Sequence, residues 1–145
     1  NAVNCVGVMG KGIALEFKRR FPSEYFLDYQ KKCQEKIIKP GSVDFYFYKN
    51  PFSNFLDETI RIIVNFPTKN HWKNPSQYEW IDSGLNDFVQ KVKSVHFSND
   101  IERGCAFPLL GCNNGGSDPK EVIPMMEEKL GNLDMEIEIW RLKND

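Results

Sequence analysis

The stretch TIRIIVNFP (residues 59–67) constrains the fold more than any other part of the chain. Its β-branched residues predict a strand, and its lack of polar alternation predicts burial on both faces, as in the central strand of a parallel sheet. A strand covered twice needs helices above and below it, and the apolar spacing supplies them. Ile13, Phe17 and Phe21 recur at spacing four before Pro22 interrupts. A second helical stretch turns Phe26, Tyr29 and Cys33 inward, and a third carries the stripe Ile81, Leu85, Phe88, Val92. Ser76 followed by Glu79 predicts a capping box at the start of that third helix. VDFYFYK (43–49) reads as a strand with Val43, Phe45 and Phe47 on one face. GCAFPLLG (104–111) reads as a short buried strand, and MEIEIW (135–140) alternates like one with a less buried face. Asp118, Pro119 and Glu121 predict the cap, first and third positions of a last helix, which Pro124 should kink early or delay. The order strand, helices, strand, strand, helix, strand, helix, strand predicts a layered α/β domain with a mixed, mostly parallel sheet. The 145 residues suit one domain spanning 1–145.

No apolar run approaches the roughly 20 residues that cross a bilayer, so no membrane partner is expected. Cys5, Cys33, Cys105 and Cys112 form no CxxC pair and no metal-ligand spacing with the two histidines. A reducing, cytoplasmic compartment and no metal follow as expectations. The net charge of −1 conceals an asymmetry: residues 1–50 carry nine Lys/Arg against five Asp/Glu, and residues 101–145 the reverse, five against nine. A basic first third attracts anionic ligands, although a solvated helix face around Lys18, Arg19 and Arg20 accounts for the charge equally well.

Ligands of such sheets sit beyond the carboxyl ends of the strands. Two glycine-rich loops fall there, GVMGKGIA (7–14) and LLGCNNGGSD (109–118), each leading into a helix. Glycine lets backbone approach a ligand closely, and a helix N-terminus offers N–H groups and positive dipole. The pair could hold the two phosphates of a pyrophosphate, with Asn1 and Asn4 offering polar groups to ribose hydroxyls or a polarised water. Neither the GxxxxGK[ST] nor the GxGxxG pattern fits: Gly12 follows Lys11, and Leu15 stands where a third glycine would be.

Three blocks together, NAVNCVGVMGKGIALEFK, NFPTKNHWKNPSQYEWIDSGL and FPLLGCNNGGSDPKEV, resemble the macrodomain family. They are most similar to the branch containing the DarG antitoxin and the terminal ADP-ribose protein glycohydrolase. The resemblance implies a three-layer α/β/α sandwich that binds ADP-ribose at the strand ends and needs no cofactor. It places Asn4, Val8, Met9, Gly10, Lys11, Gly12 and Ile13 around the distal ribose and diphosphate. Thr68 and the second loop (Leu110, Gly111, Cys112, Asn113, Asn114, Gly115 and Gly116) would close over the phosphates. Family members begin about 20 residues earlier with a strand and an adenine-receiving motif, so the chain is expected to be a macrodomain lacking that first strand. The glycohydrolase also pairs its lysine with an aspartate in the second loop; the matching place is at or near Gly115, and Asp118 lies further on as a helix cap.

Within the resemblance, Lys69 of NFPTKNHW is the catalytic residue. Cleaving ADP-ribose from a base or side chain breaks a bond at the anomeric carbon through a cation-like transition state. A lysine serves there either as a nucleophile forming a Schiff base or as a proton donor to the leaving group. The first role needs a neutral amine against an ordinary pKa of about 10.4. Lys73, a helix N-terminus near Ser76 and partial burial would each lower that value, and a bound diphosphate would raise it. Trp72 is expected either to stack on a nucleobase or to pack at the rim, with His71 beside it on the DNA side. Cys112 reads as packing rather than as a nucleophile, and Met9 as cover for the distal ribose or as core.

The function implied is that of an antitoxin-type enzyme, an ADP-ribosyl glycohydrolase that removes ADP-ribose from thymidine in single-stranded DNA, with a DarT-like toxin as partner. Two other outcomes stand beside it. One is a binding module that reads ADP-ribose without hydrolysis. The other is a hydrolase of ADP-ribosylated protein glutamate or of ADP-ribose 1″-phosphate.

Overall fold

A computed structural model describes residues 1–49, 60–95 and 104–142. The elements follow the expected order: β1 (Ala2–Val3), α1 (Gly12–Arg20), α2 (Ser23–Gln34), β2 (Asp44–Lys49), β3 (Ile60–Pro67), α3 (Tyr78–Ser94), β4 (Gly104–Pro108), α4 (Pro119–Leu130) and β5 (Glu136–Trp140). Thr59, expected to open β3, lies outside the described residues.

β3 is the spine. It runs parallel to β1, with Ala2 opposite Phe66 and Val3 opposite Pro67. On its other edge it is antiparallel to β2, from Asp44 opposite Asn65 to Lys49 opposite Ile60. β4 and β5 form a second, parallel pair in register from Gly104 opposite Glu136 to Pro108 opposite Trp140. The mixed, mostly parallel character holds, with hydrogen bonding divided into a three-stranded and a two-stranded sheet.

Neighbouring residues of β3 serve opposite layers, as a period of two requires. Ile63 enters a cluster with Ala14 of α1 and Tyr25, Tyr29 and Cys33 of α2. Val64 and Phe66 enter another with Ile81, Leu85 and Phe88 of α3 and Val122, Met126 and Leu130 of α4. Phe107 of β4 joins this second cluster, so both sheets share one layer of core. Burial of each such side chain contributes about 1.5–3 kcal/mol against chain entropy. The result is the expected sandwich, with α1 and α2 on one face and α3 and α4 on the other.

Several local expectations are corrected. Ser76 does not cap α3; Gln77 occupies that position, without a side-chain bond, and Ser76 stands outside the helix. α4 starts at Pro119 without delay because the Asp118 side chain accepts from the Lys120 N–H at 2.9 Å. Pro124 is accommodated inside it. The stripe on α1 does not all face the core, since Ile13 is 38% exposed. Among the described residues no helix is long and apolar enough to cross a membrane.

Candidate active site

Four strand ends converge on one cleft of about 1070 Å³. Asn4 follows β1, Thr68 and Lys69 follow β3, Leu109 follows β4, and Arg141 and Leu142 follow β5; all of them line it.

The first glycine loop is built around Asn4, which is 8% exposed. Its side-chain oxygen accepts from the N–H groups of Val6 (3.0 Å) and Val8 (3.4 Å), and its amide donates to the Val8 carbonyl at 2.7 Å. The Tyr29 hydroxyl of α2 lies 2.9 Å from both the backbone and the side-chain oxygen of Asn4 and donates to one of them. These bonds turn the chain out of β1 after two residues and aim the loop along the cleft. They also occupy the polar atoms of Asn4, so its first task is to shape the loop. Asn1 is engaged elsewhere, its amide donating to the Tyr25 hydroxyl at 2.8 Å. Replacing Asn4 with alanine strands two loop N–H groups and should lower stability by about 2–3 kcal/mol. Thermal melts would register that loss, and calorimetry would register weaker ADP-ribose binding by the refolded variant.

The loop ends where α1 begins, at Gly12, whose φ of +62° suits glycine. The first N–H groups of a helix have no intrahelical partner, and the Lys11 side chain makes no cap bond. They form an anion-binding end on the cleft wall. The second glycine loop meets the first at this point: a Cβ on Gly12 would come 2.6 Å from the Asn114 amide nitrogen. Ser76 and Ser117 brace that second loop, the Ser76 N–H donating to the Gly115 carbonyl and the Ser117 N–H to the Gly111 carbonyl, both at 2.9 Å.

Lys69 is carried in by an extension of the β1–β3 ladder, with the Thr68 N–H donating to the Val3 carbonyl at 3.1 Å. The Cys5 thiol donates to the Lys69 carbonyl at 3.4 Å and fixes the backbone from below. The Lys69 amine donates to the Trp72 carbonyl at 3.4 Å. Desolvation lowers its pKa from the ordinary lysine value, and the Lys11 cation lowers it further. Lys11 therefore plays the part expected of Lys73, whose ammonium instead sits 5.1 Å over the Trp72 ring. The only carboxylate among the described residues of the cleft wall, Glu16, faces Arg19 at 3.5 Å and Arg20 at 3.4 Å. Lys11, Lys69 and Arg141 leave the wall cationic, as a diphosphate requires.

An aspartate does not fit at Gly115 with the second loop as it stands. A Cβ on Gly115 would lie 2.1 Å from the Ser76 hydroxyl oxygen and 2.3 Å from the Gly111 carbonyl oxygen. Asp118 is spent on capping α4. Among the described residues no three His, Cys, Asp or Glu side chains cluster as metal ligands would.

Of the residues singled out by sequence, Asn4, Val8, Gly10, Lys11, Gly12, Ile13, Thr68, Lys69, Trp72, Gly111, Cys112, Asn113, Asn114 and Gly115 lie on the cleft wall. Met9 does not. At 1% exposure it packs under α1 and α2, so the core reading replaces the ribose-cover reading. Leu110, also 1% exposed, belongs to the core beneath α3 and α4. Gly116 lies off the wall and supplies a turn at φ +76°. His71 is off the wall too; its ring centroid is 5.3 Å from that of Trp72, and its Nδ1 accepts from the Lys73 N–H at 3.1 Å. Trp72 itself is half exposed at the cleft edge.

Sequence reasoning missed Trp140, Arg141 and Leu142, which add a further wall. Trp140 is 64% exposed, its indole N–H donating to Glu138 at 2.7 Å. The signal was present: a strand parallel to β4 must end on the same side as Pro108, which puts its last aromatic beside the loop.

Comparison with known proteins agrees with this architecture. The Macro domain family model matches residues 1–126. A Thermus aquaticus protein named DNA ADP-ribosyl glycohydrolase is 39% identical over 140 residues, covering 97% of this chain and 35% of that relative's length. The chain thus spans about a third of the relative it matches. The solved macrodomain of Mycobacterium tuberculosis DarG superposes with a TM-score of 0.78 at 38% identity, covering 96% of this chain and 84% of that one. Thermosipho africanus DarTG, solved in complex with ADP-ribose, gives a TM-score of 0.81 at 33% identity, covering all of this chain and 38% of that one. With fold, paired loops and similarity in agreement, the chain belongs to the macrodomain family.

Proposed function

We propose that this macrodomain binds ADP-ribose and acts as a glycohydrolase that removes it from thymidine in single-stranded DNA, countering a DarT-like ADP-ribosyltransferase in the cytoplasm. One observation carries the catalytic reading: Lys69 lines the cleft together with both glycine loops, and among the described wall residues no carboxylate is turned towards it. Similarity to the Thermus aquaticus glycohydrolase and to the ADP-ribose-bound Thermosipho africanus protein supports the substrate class.

In this reading the diphosphate lies between the α1 N-terminus and the second loop, where Lys11 offsets its charge. Trp140 offers its exposed indole face to the adenine end. The distal ribose presents its anomeric carbon to Lys69, and Trp72 stacks on a neighbouring base, an interaction of about 1–3 kcal/mol. A lysine with no acid partner among the described residues, its pKa lowered, suits the nucleophilic role better than the proton-donor role. The amine lone pair bonds to the anomeric carbon as the bond to the thymine ring nitrogen breaks. The thymine ring, still joined to its deoxyribose in the strand, leaves with the electron pair of that bond and takes the proton the amine loses. The glycosylamine opens to a Schiff base, and water releases ADP-ribose and regenerates the amine.

The test is a side-by-side assay with an ADP-ribosylated single-stranded oligonucleotide, a protein ADP-ribosylated on glutamate, and ADP-ribose 1″-phosphate. Release at least tenfold faster from the oligonucleotide is expected. Tight ADP-ribose binding with no release from any of them would reduce the domain to a reader.

A further inference from the structure

A second cavity, about 480 Å³, lies behind the wall that carries Lys69. Asn4 and Lys69 line the cleft described above; the next residues along the chain, Cys5 and Asn70, line this one. The two spaces are therefore separated by a single thickness of backbone. The Cys5 N–H, donating to the Asn70 carbonyl at 3.0 Å, holds that wall together.

The chemistry of the second cavity is distinct. Its lining is apolar at Cys5, Val6, Cys33, Ile38 and Pro40, and its charges are Lys36 and Lys39, with no carboxylate among the lining residues. Both thiols are held neutral, since burial raises Cys33 and pushes Cys5 up to about 12. A metal or a thiolate reaction does not suit such a place. Lys36 adds a second observation. It is the one non-glycine residue of positive φ among the described residues, at +57°, in the turn that ends α2. That position favours glycine or asparagine, so a lysine there is held against local preference, and it is one of the residues lining the cavity.

We propose that this cavity receives a nucleotide of the DNA strand next to the modified one, its base against the apolar lining and its phosphate between Lys36 and Lys39. The inference rests on the DNA reading above and extends it, giving the strand a path over the wall from Trp72. Neutralising backbone phosphate with lysine is the main source of affinity at single-strand sites. Selectivity for a strand over a lone nucleoside is then shared between Trp72 at the cleft edge and the second cavity.

The experiment compares the wild-type chain with the double variant Lys36→Asn, Lys39→Gln. Both side chains are exposed, and asparagine suits the backbone at position 36, so the fold should persist. Substrates are ADP-ribosylated thymidine nucleoside and an ADP-ribosylated single-stranded oligonucleotide. The expected result is a KM for the oligonucleotide raised about tenfold with kcat kept, a shallower salt dependence by roughly one unit of slope, and unchanged release from the nucleoside. Equal KM values for variant and wild type on the oligonucleotide would overturn the proposal while leaving the glycohydrolase reading intact. So would a loss confined to an ADP-ribosylated protein, which would assign the cavity to acidic peptide. A wild-type chain that releases ADP-ribose from neither DNA substrate would remove the DNA reading and this site with it.

Discussion

Replacing Lys69 with alanine is expected to slow release from a modified oligonucleotide by about 10³-fold or more, roughly 4 kcal/mol of barrier, while ADP-ribose affinity changes by less than about threefold. The asymmetry follows from what the amine touches. Its one hydrogen bond among the described residues goes to the Trp72 carbonyl, at 3.4 Å, so its removal should leave the fold and both glycine loops standing. The groups proposed to grip the diphosphate, the α1 N-terminus and the second loop, are untouched. Arginine at the same place should not restore turnover, because a guanidinium stays protonated and cannot attack carbon. Calorimetry and single-turnover release together check this. Retained turnover in the alanine variant would place the chemistry on another group.

The pH profile separates the two roles open to the amine. A nucleophile must be neutral, so the rate rises with pH and levels off above the Lys69 pKa; a proton donor must be charged, so the rate falls through the same value. The pKa is lowered, by desolvation first and by Lys11 second, which places the plateau's onset below the ordinary lysine value of 10.5. Lys11→Gln removes the second cause and should shift the rising limb towards alkaline pH, with the plateau rate little changed. A limb that falls with pH would transfer Lys69 to the proton-donor role.

The layers and most of the cleft were legible in the sequence because they rest on periodicity and on glycine. TIRIIVNFP reads as a doubly covered strand, and β3 does serve both core clusters through Ile63 and Phe66. The glycine loops read as cleft walls because each follows a strand and opens a helix. Tertiary packing decided what sequence could not. Met9 sits in a loop whose neighbours Val8 and Gly10 line the cleft, yet the turn set by Asn4 sends its side chain beneath α1 and α2. Ser76 has the spacing of a capping box, but its N–H is taken by the Gly115 carbonyl, and α3 begins two residues later. Lys11 tunes Lys69 across a gap of nearly sixty residues that no local pattern spans.

Gly115→Asp is the second large effect expected, and it runs against intuition drawn from relatives that carry an acid in this loop. Installing aspartate should weaken binding rather than add a catalytic carboxylate. The new Cβ would fall 2.1 Å from the Ser76 hydroxyl oxygen and 2.3 Å from the Gly111 carbonyl oxygen. Two contacts of that length cannot be relieved by a rotamer change, since one is with backbone. The loop must shift, breaking the brace between the Ser76 N–H and the Gly115 carbonyl. A cost of about 3 kcal/mol in stability is expected, with ADP-ribose affinity reduced about a hundredfold as the loop proposed to close over the phosphates is displaced. Adding Ser76→Ala should not rescue the variant, because the Gly111 carbonyl is held in place by the Ser117 N–H at 2.9 Å. Ser76→Ala alone should be close to neutral: the buried hydroxyl has no hydrogen-bond partner among the described residues to lose. Melting temperature and calorimetry on the three variants decide it, and an active, well-folded Gly115→Asp chain would show that the second loop is softer than its contacts imply.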